Sequence, residues 1–442
     1  MHPHELRSGG KSAPRRYRWR MTAISTSVAP NGLPIHRLAL DGTRAVTALV
    51  AFDAGARSER PEENGMAHFL EHLVFKGGEK FSDYRAVNET AERIGGQLNA
   101  YTSHDLVAFH ITVRAEKALE AIDLLTDFVG RPRLDAEELE RERGVVIQEI
   151  ARANDQPATV AEHLIDHAAF GEHPLGRTVL GPVEHLRDTF TRDGIVAFRN
   201  RRWAGARGGA FVVGNLEHLP DDNDPTHPAL DELFGRFPTL AEPEPYEAAP
   251  PLHVRTLVEE RDSNQSHLRM SYRPAIDTTS RAQRAALTIY ATLLGGSMGS
   301  RLFDEIREQR GLAYSVYAIS HNSADVPILQ LSAGLDSTKC VEAYRRMREI
   351  VGELRDEGPR PEEVERARAY AAGARVLAFE NTNAVARHAA QQTILFGEEI
   401  DPDLAIAALD AVTYDDVAAV ARDVADELAV ACVGPHRADD FA

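Results

Sequence analysis

The sequence predicts an α+β fold of two homologous αβ domains, each a mostly antiparallel sheet packed with helices. The chain has 442 residues, too many for one ordinary hydrophobic core, which favours at least two domains. Strand-like runs bounded by turn residues alternate with helical periodicity in the first half. The second half repeats the first at an offset near 220 residues, because 429–434 resemble 209–214 and 413–417 resemble 191–195.

Composition shifts divide the chain into four segments. Residues 1–21 are predicted to be a disordered basic extension, and 22–235 form the N-terminal domain. An acidic, proline-rich linker spans 236–253, where 242–251 read Glu-Pro-Glu-Pro-Tyr-Glu-Ala-Ala-Pro-Pro. Residues 254–442 form the C-terminal domain.

The overall charge argues against one large class of partners. The net charge is −18 and the isoelectric point is about 5.5, which disfavours general nucleic-acid binding. An acidic surface is compatible with attraction of basic peptides, and it is also an ordinary solubility feature. Only two cysteines occur, Cys340 and Cys432, so no disulfide framework is indicated and a reducing compartment is expected.

The basic N-terminal extension bears on localisation. Arg15 and Arg16 suggest a twin-arginine signal, but no apolar segment follows them. No run of 18 apolar residues occurs, so no membrane span is predicted. We expect a cytoplasmic bacterial protein, with the mitochondrial matrix as the weaker alternative.

The first half has a clear order of elements. Residues 33–40 and 45–53 are predicted strands around a turn at 41–42, and a buried helix follows near 65–75. Residues 81–94 are helical up to a Gly-Gly stop, and 97–113 predict strand, turn, strand. The remaining predicted elements are helices near 115–129, 135–150, 160–170 and 191–200 and a strand at 208–216.

The buried helix near 65–75 carries the sequence His68-x-x-Glu71-His72. The two histidines are one helical turn apart on one face, where two neutral imidazoles can bind one Zn²⁺. The spacing is the inverted form of the His-Glu-x-x-His pattern of zinc peptidases. The alternative is a pair of structural core histidines beside a carboxylate, although so apolar a run needs a reason to bury three ionisable groups.

A third ligand is expected from another helix. The helix at 135–150 is predicted to begin at an Asp135 N-cap with Glu138 at the spacing of a capping box. Val145, Val146, Ile147 and Ile150 indicate its buried part. Glu149 lies in this part and Glu142 is two turns earlier on the same face. The alternative for either glutamate is a solvated helix charge.

The second half has its own pattern. Residues 294–303 form a glycine-rich turn that leads into a helix with Arg307, and Tyr314 follows after a stop at Gly311. A phosphate loop would end in Lys-Ser or Lys-Thr, which is absent here. A guanidinium and a phenol are suitable donors toward a peptide carbonyl or its oxyanion. Taken separately, the two residues are more typical of a surface arginine and a core tyrosine.

Together these residues resemble the insulinase (pitrilysin) family of zinc peptidases, most closely its half-length members such as the β subunit of mitochondrial processing peptidase and bacterial relatives. The family's third ligand follows the inverted motif after 76 residues, which leads from His72 to Glu149. The resemblance implies that His68, His72 and Glu149 hold one Zn²⁺ per chain. It also implies that Glu71 is the general base toward the zinc-bound water and that Glu142 supports the site.

The resemblance extends to substrate binding and assembly. It implies that Asn99 and Ala100 contact a peptide added as a strand, with a strand-end turn as the alternative for Asn99. Arg307 and Tyr314 would contact substrate and assist the transition state. Each chain would be one bowl of a clamshell chamber, completed in a homodimer, or in a heterodimer with a related subunit.

The implied activity is that of a zinc metalloendopeptidase acting on peptides or unfolded segments. A noncatalytic structural subunit of the same fold and a maturase dedicated to one precursor peptide are the alternatives. A hydrolase acting on non-peptides has no positive signal in the sequence.

Overall fold

In the computed structural model, residues 21–204, 207–219, 229–242 and 245–442 are described. The predicted basic extension, apart from residue 21, lies outside this part of the chain, as do residues 221–225 and two residues of the predicted linker. No helix of the described part is both long and apolar enough to cross a bilayer.

The first sheet contains six strands in the spatial order β1-β2-β6-β3-β5-β4. Within the described residues, β2 and β6 are the one parallel pair of this sheet. Both faces of β3 are covered, which explains why its sequence is apolar almost throughout. The strands are β1 (Met21–Val28), β2 (Pro34–Leu40), β3 (Ala45–Phe52), β4 (Gln97–Thr102), β5 (Val107–Arg114) and β6 (Gly208–Gly214).

The second sheet reproduces this topology. Its order is β7-β11-β8-β10-β9, with β7 parallel to β11 and the other pairs antiparallel. It therefore corresponds to the first sheet without β1, and the predicted two-domain α+β fold is confirmed. The strands are β7 (Thr256–Glu260), β8 (Gln265–Tyr272), β9 (Ala313–Ser323), β10 (Val326–Asp336) and β11 (Ala429–Gly434).

Thirteen α-helices lie in the described part of the chain. Those of the first half are α1 (Met66–Val74), α2 (Tyr84–Arg93), α3 (Ala118–Gly130), α4 (Ala136–Asp155), α5 (Pro157–Phe170), α6 (Arg192–Ala204) and α7 (Leu230–Phe234). Those of the second half are α8 (Arg281–Ala291), α9 (Cys340–Glu357), α10 (Pro361–Ala378), α11 (Thr382–Phe396), α12 (Pro402–Ala411) and α13 (Tyr414–Asp423). Two π-helical segments, Thr292–Gly296 and Phe303–Gln309, connect α8 to β9.

The two halves exchange one helix each. Helix α11 of the second half packs on the first sheet, where Ala386 and Ala389 meet Leu49 and Phe211. Reciprocally, α5 of the first half packs on the second sheet, where Ala168 meets Ala431. Small residues on both helices permit this close approach. The boundaries of the two domains stay a prediction. The exchange shows that each half contributes a helix to the core of the other.

The second half has other residues at the positions that correspond to the zinc motif. At an offset of about 220 residues, the motif residues correspond to Thr288, Ala291 and Thr292. These residues lie in α8 and at the start of the π-helical segment that follows it. None of these side chains is a usual zinc ligand. The second half has kept the architecture with other residues at the motif positions.

Candidate metal centre

Helix α1 brings the three motif residues to the interior of the first domain. It packs against α4, α6 and β4, and Phe69, Leu70 and Leu73 are buried in the core. His68 is buried, with 8% of its surface exposed, whereas Glu71 and His72 are partly exposed. The apolar face of α1 therefore anchors the helix, and its polar side faces α4 and the end of β4.

The predicted ligands meet as the sequence indicates. The Nε2 atoms of His72 and His68 lie 3.4 and 3.8 Å from Oε2 of Glu149, and one ligand atom from each residue lies within 4.8 Å of the other two. Ligands about 2.1 Å from a central zinc would stand about 3.4 Å apart in a tetrahedron. Two histidines and one carboxylate are a common donor set for zinc. The three residues therefore fit the metal in both chemistry and spacing.

Glu142 fixes the orientation of His72. Its Oε1 lies 2.8 Å from Nδ1 of His72, and its Oε2 lies 2.5 Å from Nζ of Lys76. A proton on Nδ1 that is donated to Glu142 leaves Nε2 free to face Glu149, which is the usual role of a carboxylate behind a metal ligand. Burial opposes ionisation of Glu142, but hydrogen bonds from His72 and Lys76 lower its pKa overall.

His68 is held in the neutral form that a metal requires. Burial, followed by the neighbouring His72, lowers the pKa of His68 to about 4. Its Nδ1 is buried without a hydrogen-bond partner in the described part of the chain. The two ring planes stand at 65° with centroids 4.7 Å apart. A neutral imidazole with Nε2 toward Glu149 needs no proton loss before it coordinates an ion.

Glu71 occupies a separate position beside the ligands. The hydroxyl of Thr102, at the end of β4, donates to Oε2 of Glu71 at 2.5 Å. Burial raises the pKa of Glu71, and the hydrogen bond from Thr102 opposes that rise. One carboxylate oxygen is thus oriented by Thr102, which makes the side chain suitable as a positioned proton acceptor.

Helix α4 buries Glu142 beside the ligands, and it corrects two details of the prediction. Glu142 is buried and Glu149 is half-buried, so Glu149 remains accessible. Val145 was expected to be buried but is 52% exposed, because it lies on the solvent side of α4. The predicted capping box is wrong, since the side chain of Asp135 makes no cap bond and pairs with Arg133 instead.

Glu59 anchors the beginning of α1. This buried carboxylate accepts the backbone N–H groups of Gly65 and Ala67, at 3.0 and 2.7 Å, and the side-chain amide of Asn64 at 3.2 Å. Burial raises its pKa to about 8, against the effect of these donors. No local pattern in the sequence indicates this role, because Glu59 lies outside the helix that it caps.

Replacing Glu59 with alanine is expected to lower the free energy of unfolding by about 1–3 kcal/mol, because buried N–H groups lose their acceptor. Denaturant unfolding of the variant measures this loss. Glu62→Ala is the matched control, since Glu62 is exposed, and its effect should stay within about 0.5 kcal/mol. Equal stability of the two variants would contradict the anchoring role.

Asn99 and Ala100 lie in β4, the edge strand of the first sheet, whose only partner in the described part of the chain is β5. Asn99 is therefore not a strand-end turn residue. Its side-chain oxygen accepts the N–H of Ala100 at 2.8 Å. The open edge of β4 ends at Thr102 and so leads to Glu71. This position is compatible with the predicted contact with a substrate strand.

Arg307 and Tyr314 lie in the second domain. Tyr314 is 59% exposed, which excludes a core tyrosine, and the Arg307 side chain is 44% exposed over the ring of Phe303. No hydrogen bond or ion pair within the described ranges joins either residue to the ligand cluster. The structure of the single chain therefore does not bring the two parts of the predicted site into contact.

A bulge in the second sheet directs Tyr314. Ser315 pairs with Gly334 and Ala313 pairs with Leu335, so Tyr314 is the extra residue between two regular pairs. A Cβ atom on Gly334 would lie 2.7 Å from the ring of Tyr314. Bulges redirect side chains and are frequent beside active sites. Gly334 therefore provides the space in which the Tyr314 ring lies.

We expect Gly334→Ala to displace the Tyr314 ring. The resemblance implies that Tyr314 assists the transition state of peptide hydrolysis, so this displacement should lower kcat/KM for a peptide by about tenfold, part of the effect of losing one such donor. Zinc content should not change. Gly373→Ala in α10 is the control, because no atom lies within 4 Å of its added Cβ. Turnover at the wild-type level in Gly334→Ala would show that the position of the Tyr314 ring does not matter for catalysis.

A second cluster of potential metal ligands lies in the core of the second domain. One ligand atom from each of Cys340, Cys432 and His436 lies within 4.8 Å of the others, and both thiols are free and buried. Nε2 of His436 lies 2.8 Å from the hydroxyl of Ser266. Both clusters could hold a metal ion, so the metal content of the protein must be compared between variants of each cluster.

Two family models match the chain in tandem. The model described as insulinase, peptidase family M16, matches residues 38–183, and the model described as peptidase M16 inactive domain matches residues 189–370. The boundary between the matches lies before α6, so the second match begins within the first half of the duplicated fold.

Relatives match over most of their length. An uncharacterized zinc protease of Streptomyces coelicolor is 31% identical over 408 residues, covering 91% of this chain and 87% of that protein. An uncharacterized zinc protease of Bacillus subtilis is 30% identical over 393 residues, covering 89% and 93%. Among solved structures, a peptidase M16 inactive domain from Pseudomonas fluorescens gives a TM-score of 0.84 at 17% identity, covering 94% of this chain and 98% of that one.

The chain has two repeated αβ domains with a His-His-Glu cluster on the first, and the relatives that match it over most of their length are called zinc proteases. The chain belongs to the insulinase family of peptidases, peptidase family M16. The resemblance drawn from the motif is thereby confirmed.

Proposed function

We propose that the protein is a zinc-dependent endopeptidase that hydrolyses peptides or unfolded segments. The observation that carries this proposal is the approach of the His68, His72 and Glu149 ligand atoms to within 4.8 Å of one another, beside the oriented carboxylate of Glu71. The names of the relatives support protease activity in the family, and the intact donor set of this chain supports it here.

The chemistry divides between a metal and the side chains around it. His68, His72 and Glu149 would hold Zn²⁺, which would supply Lewis acidity toward the scissile carbonyl and the attacking water. Glu71 accepts the proton of that water and returns it to the leaving amine. Thr102 keeps the accepting carboxylate in position, and Glu142 keeps His72 in the tautomer that leaves Nε2 available.

The substrate is proposed to add as a strand along β4. Main-chain hydrogen bonds at an open sheet edge give affinity with little demand on sequence. The incoming strand would compete for the N–H of Ala100, which Asn99 accepts in the free chain. Because β4 ends at Thr102, a peptide on this edge would run toward Glu71.

Arg307 and Tyr314 are proposed to act on the zinc site of a second protomer. Their exposure and the absence of a polar contact with the ligand cluster in the described residues support a role across an interface. Two chains would then form a closed chamber that admits unfolded peptides and excludes folded proteins by size. A heterodimer with a related subunit is the alternative.

Two other functions are distinguished by direct assays. A noncatalytic structural subunit would not require Glu71 to be positioned between Thr102 and the ligands. A dedicated maturase would bind zinc and leave a generic unstructured peptide uncut. The ordered donor set favours a working hydrolase over the structural subunit.

Zinc content tests the proposed metal centre. Wild-type protein is expected to hold about one zinc per chain, and Glu149→Gln or His72→Gln should lose it on dialysis, because each removes one of three protein ligands. Elemental analysis measures the ratio. Cys432→Ser is the control and should keep the metal; loss of zinc from that variant alone would relocate the site to the second cluster.

A further inference from the structure

A cavity of about 600 Å³ opens beside the edge strand β4. Tyr101 lines it from β4, Arg375 from α10, and Arg387 and His388 from the exchanged helix α11. Arg375, His388 and Gln391 also line a neighbouring cavity of about 200 Å³. The two cavities thus meet at residues that can donate hydrogen bonds.

The cavity contains two guanidinium groups that lack a carboxylate partner among the described residues. Arg375 donates to Nδ1 of His388 at 3.1 Å, and Arg387 lies 4.2 Å from the ring centroid of Tyr101. Burial, followed by the nearby Arg375, lowers the pKa of His388 to about 3, so the ring is neutral. Asp105 also lines the cavity, and Arg57 balances it only in part, because Arg57 lies 3.7 Å from Asp105 and 2.6 Å from Asp325. The two arginines of the lining still outnumber this one carboxylate.

The faces of β4 relate this cavity to the proposed substrate strand. Leu98 and Ala100 pack on the side of α1, and Thr102 reaches Glu71 on that side. Tyr101 packs on the opposite side, against the α11 cluster. Cross-strand neighbours share a face, so a substrate residue opposite Tyr101 would point into the cavity, whereas its two neighbours would point toward the metal centre.

We propose that this cavity is a subsite for an acidic side chain of the substrate, bound by Arg375 and Arg387. The inference rests on the proposed function and adds a substrate class to it. A carboxylate matches the planar donor arrangement of a guanidinium. Arg375 is half-buried, so its pairing is partly shielded from water, whereas Arg387 is exposed at the mouth of the cavity. The net charge of −18 acts against acidic peptides at long range, but salt screens it beyond about 10 Å, so local donors decide the preference.

The test uses two sets of unstructured peptides that differ only by glutamate or glutamine at successive positions around one cleavage site. Wild-type enzyme should favour glutamate at one position by about tenfold in kcat/KM, the scale of a charge-assisted hydrogen bond. Arg375→Gln and Arg387→Gln should each reduce this ratio toward one while the glutamine peptides are still cut. Arg345→Gln, an exposed site on α9, is the matched charge control and should keep the ratio.

Binding of fluorescein-labelled peptides to Glu71→Gln protein gives a readout that does not depend on turnover. Preferential binding of one glutamate peptide, lost in the double variants with Arg375→Gln or Arg387→Gln, supports the subsite even if hydrolysis is absent and the proposed function fails. Equal cleavage and equal binding of both sets overturn the subsite and leave the peptidase intact. Competition by inorganic phosphate without any glutamate preference would also overturn it, since the cavity would then take a free anion.

Discussion

Glu71→Gln is expected to abolish peptide hydrolysis and to leave zinc in place. Glutamine keeps the size of the side chain and an oxygen that accepts the Thr102 hydroxyl, but it cannot take a proton from water. Loss of a general base lowers rates by about 10²–10⁴, so kcat/KM on an unstructured reporter peptide should fall by that factor. Steady-state kinetics and elemental analysis on the same preparation measure both quantities.

The control for this variant is Glu62→Gln, which removes the same charge from an exposed position. It should retain both zinc and turnover. Glu71→Gln protein that cuts the peptide within about tenfold of wild type would exclude Glu71 as the base. Loss of zinc together with activity would instead show that Glu71 supports the metal site, because the two losses are measured separately.

The sequence could predict the ligand cluster because helical spacing alone places His68 and His72 on one face. Glu149 was harder to predict, because no local sequence pattern shows that α4 packs against α1. The resemblance supplied the spacing of 76 residues between the motif and the third ligand. In the structure the three ligand atoms lie within 4.8 Å of one another. Local periodicity is a strong signal where one helix carries most of a site.

The supporting residues were harder to predict because their roles depend on tertiary packing. Thr102 contacts Glu71 only because strand alternation turns its side chain toward α1. Lys76 is one turn beyond His72, and its contact with Glu142 was detectable only once α1 and α4 were paired. Glu59 caps a helix from which it is separated in sequence by a short turn.

The exchange of α5 and α11 shows a limit of pattern reasoning about the fold. The spacing of Val385, Ala386, Ala389 and Ala390 indicates a buried face on α11. It cannot indicate which sheet that face covers, because both sheets present similar apolar surfaces. The bulge at Tyr314 was hidden for a related reason, since register depends on the partner strand and not on the strand's own sequence.

Two inactive variants are expected to restore activity when they form a mixed pair. Arg307→Ala should lower kcat/KM by about 10²–10³ by removing a donor to the transition state. In a pair with one Glu71→Gln and one Arg307→Ala chain, the second chain keeps an intact Glu71 and would receive Arg307 from its partner. If the sites are shared across a two-fold dimer, about half of the wild-type activity per pair should return.

The pair is isolated by co-expression with two different affinity tags and successive purification on both. Each homodimer prepared alone is the control and should stay inactive. If Arg307 served the zinc site of its own chain, neither site of the mixed pair would be complete and no activity would return. Failure to recover any doubly tagged pair would show that two copies do not assemble, and a related subunit would then have to supply the second half of the chamber. The exposure of Tyr314 and Arg307 favours recovery, because donors meant for the site of their own chain would be expected to face it already.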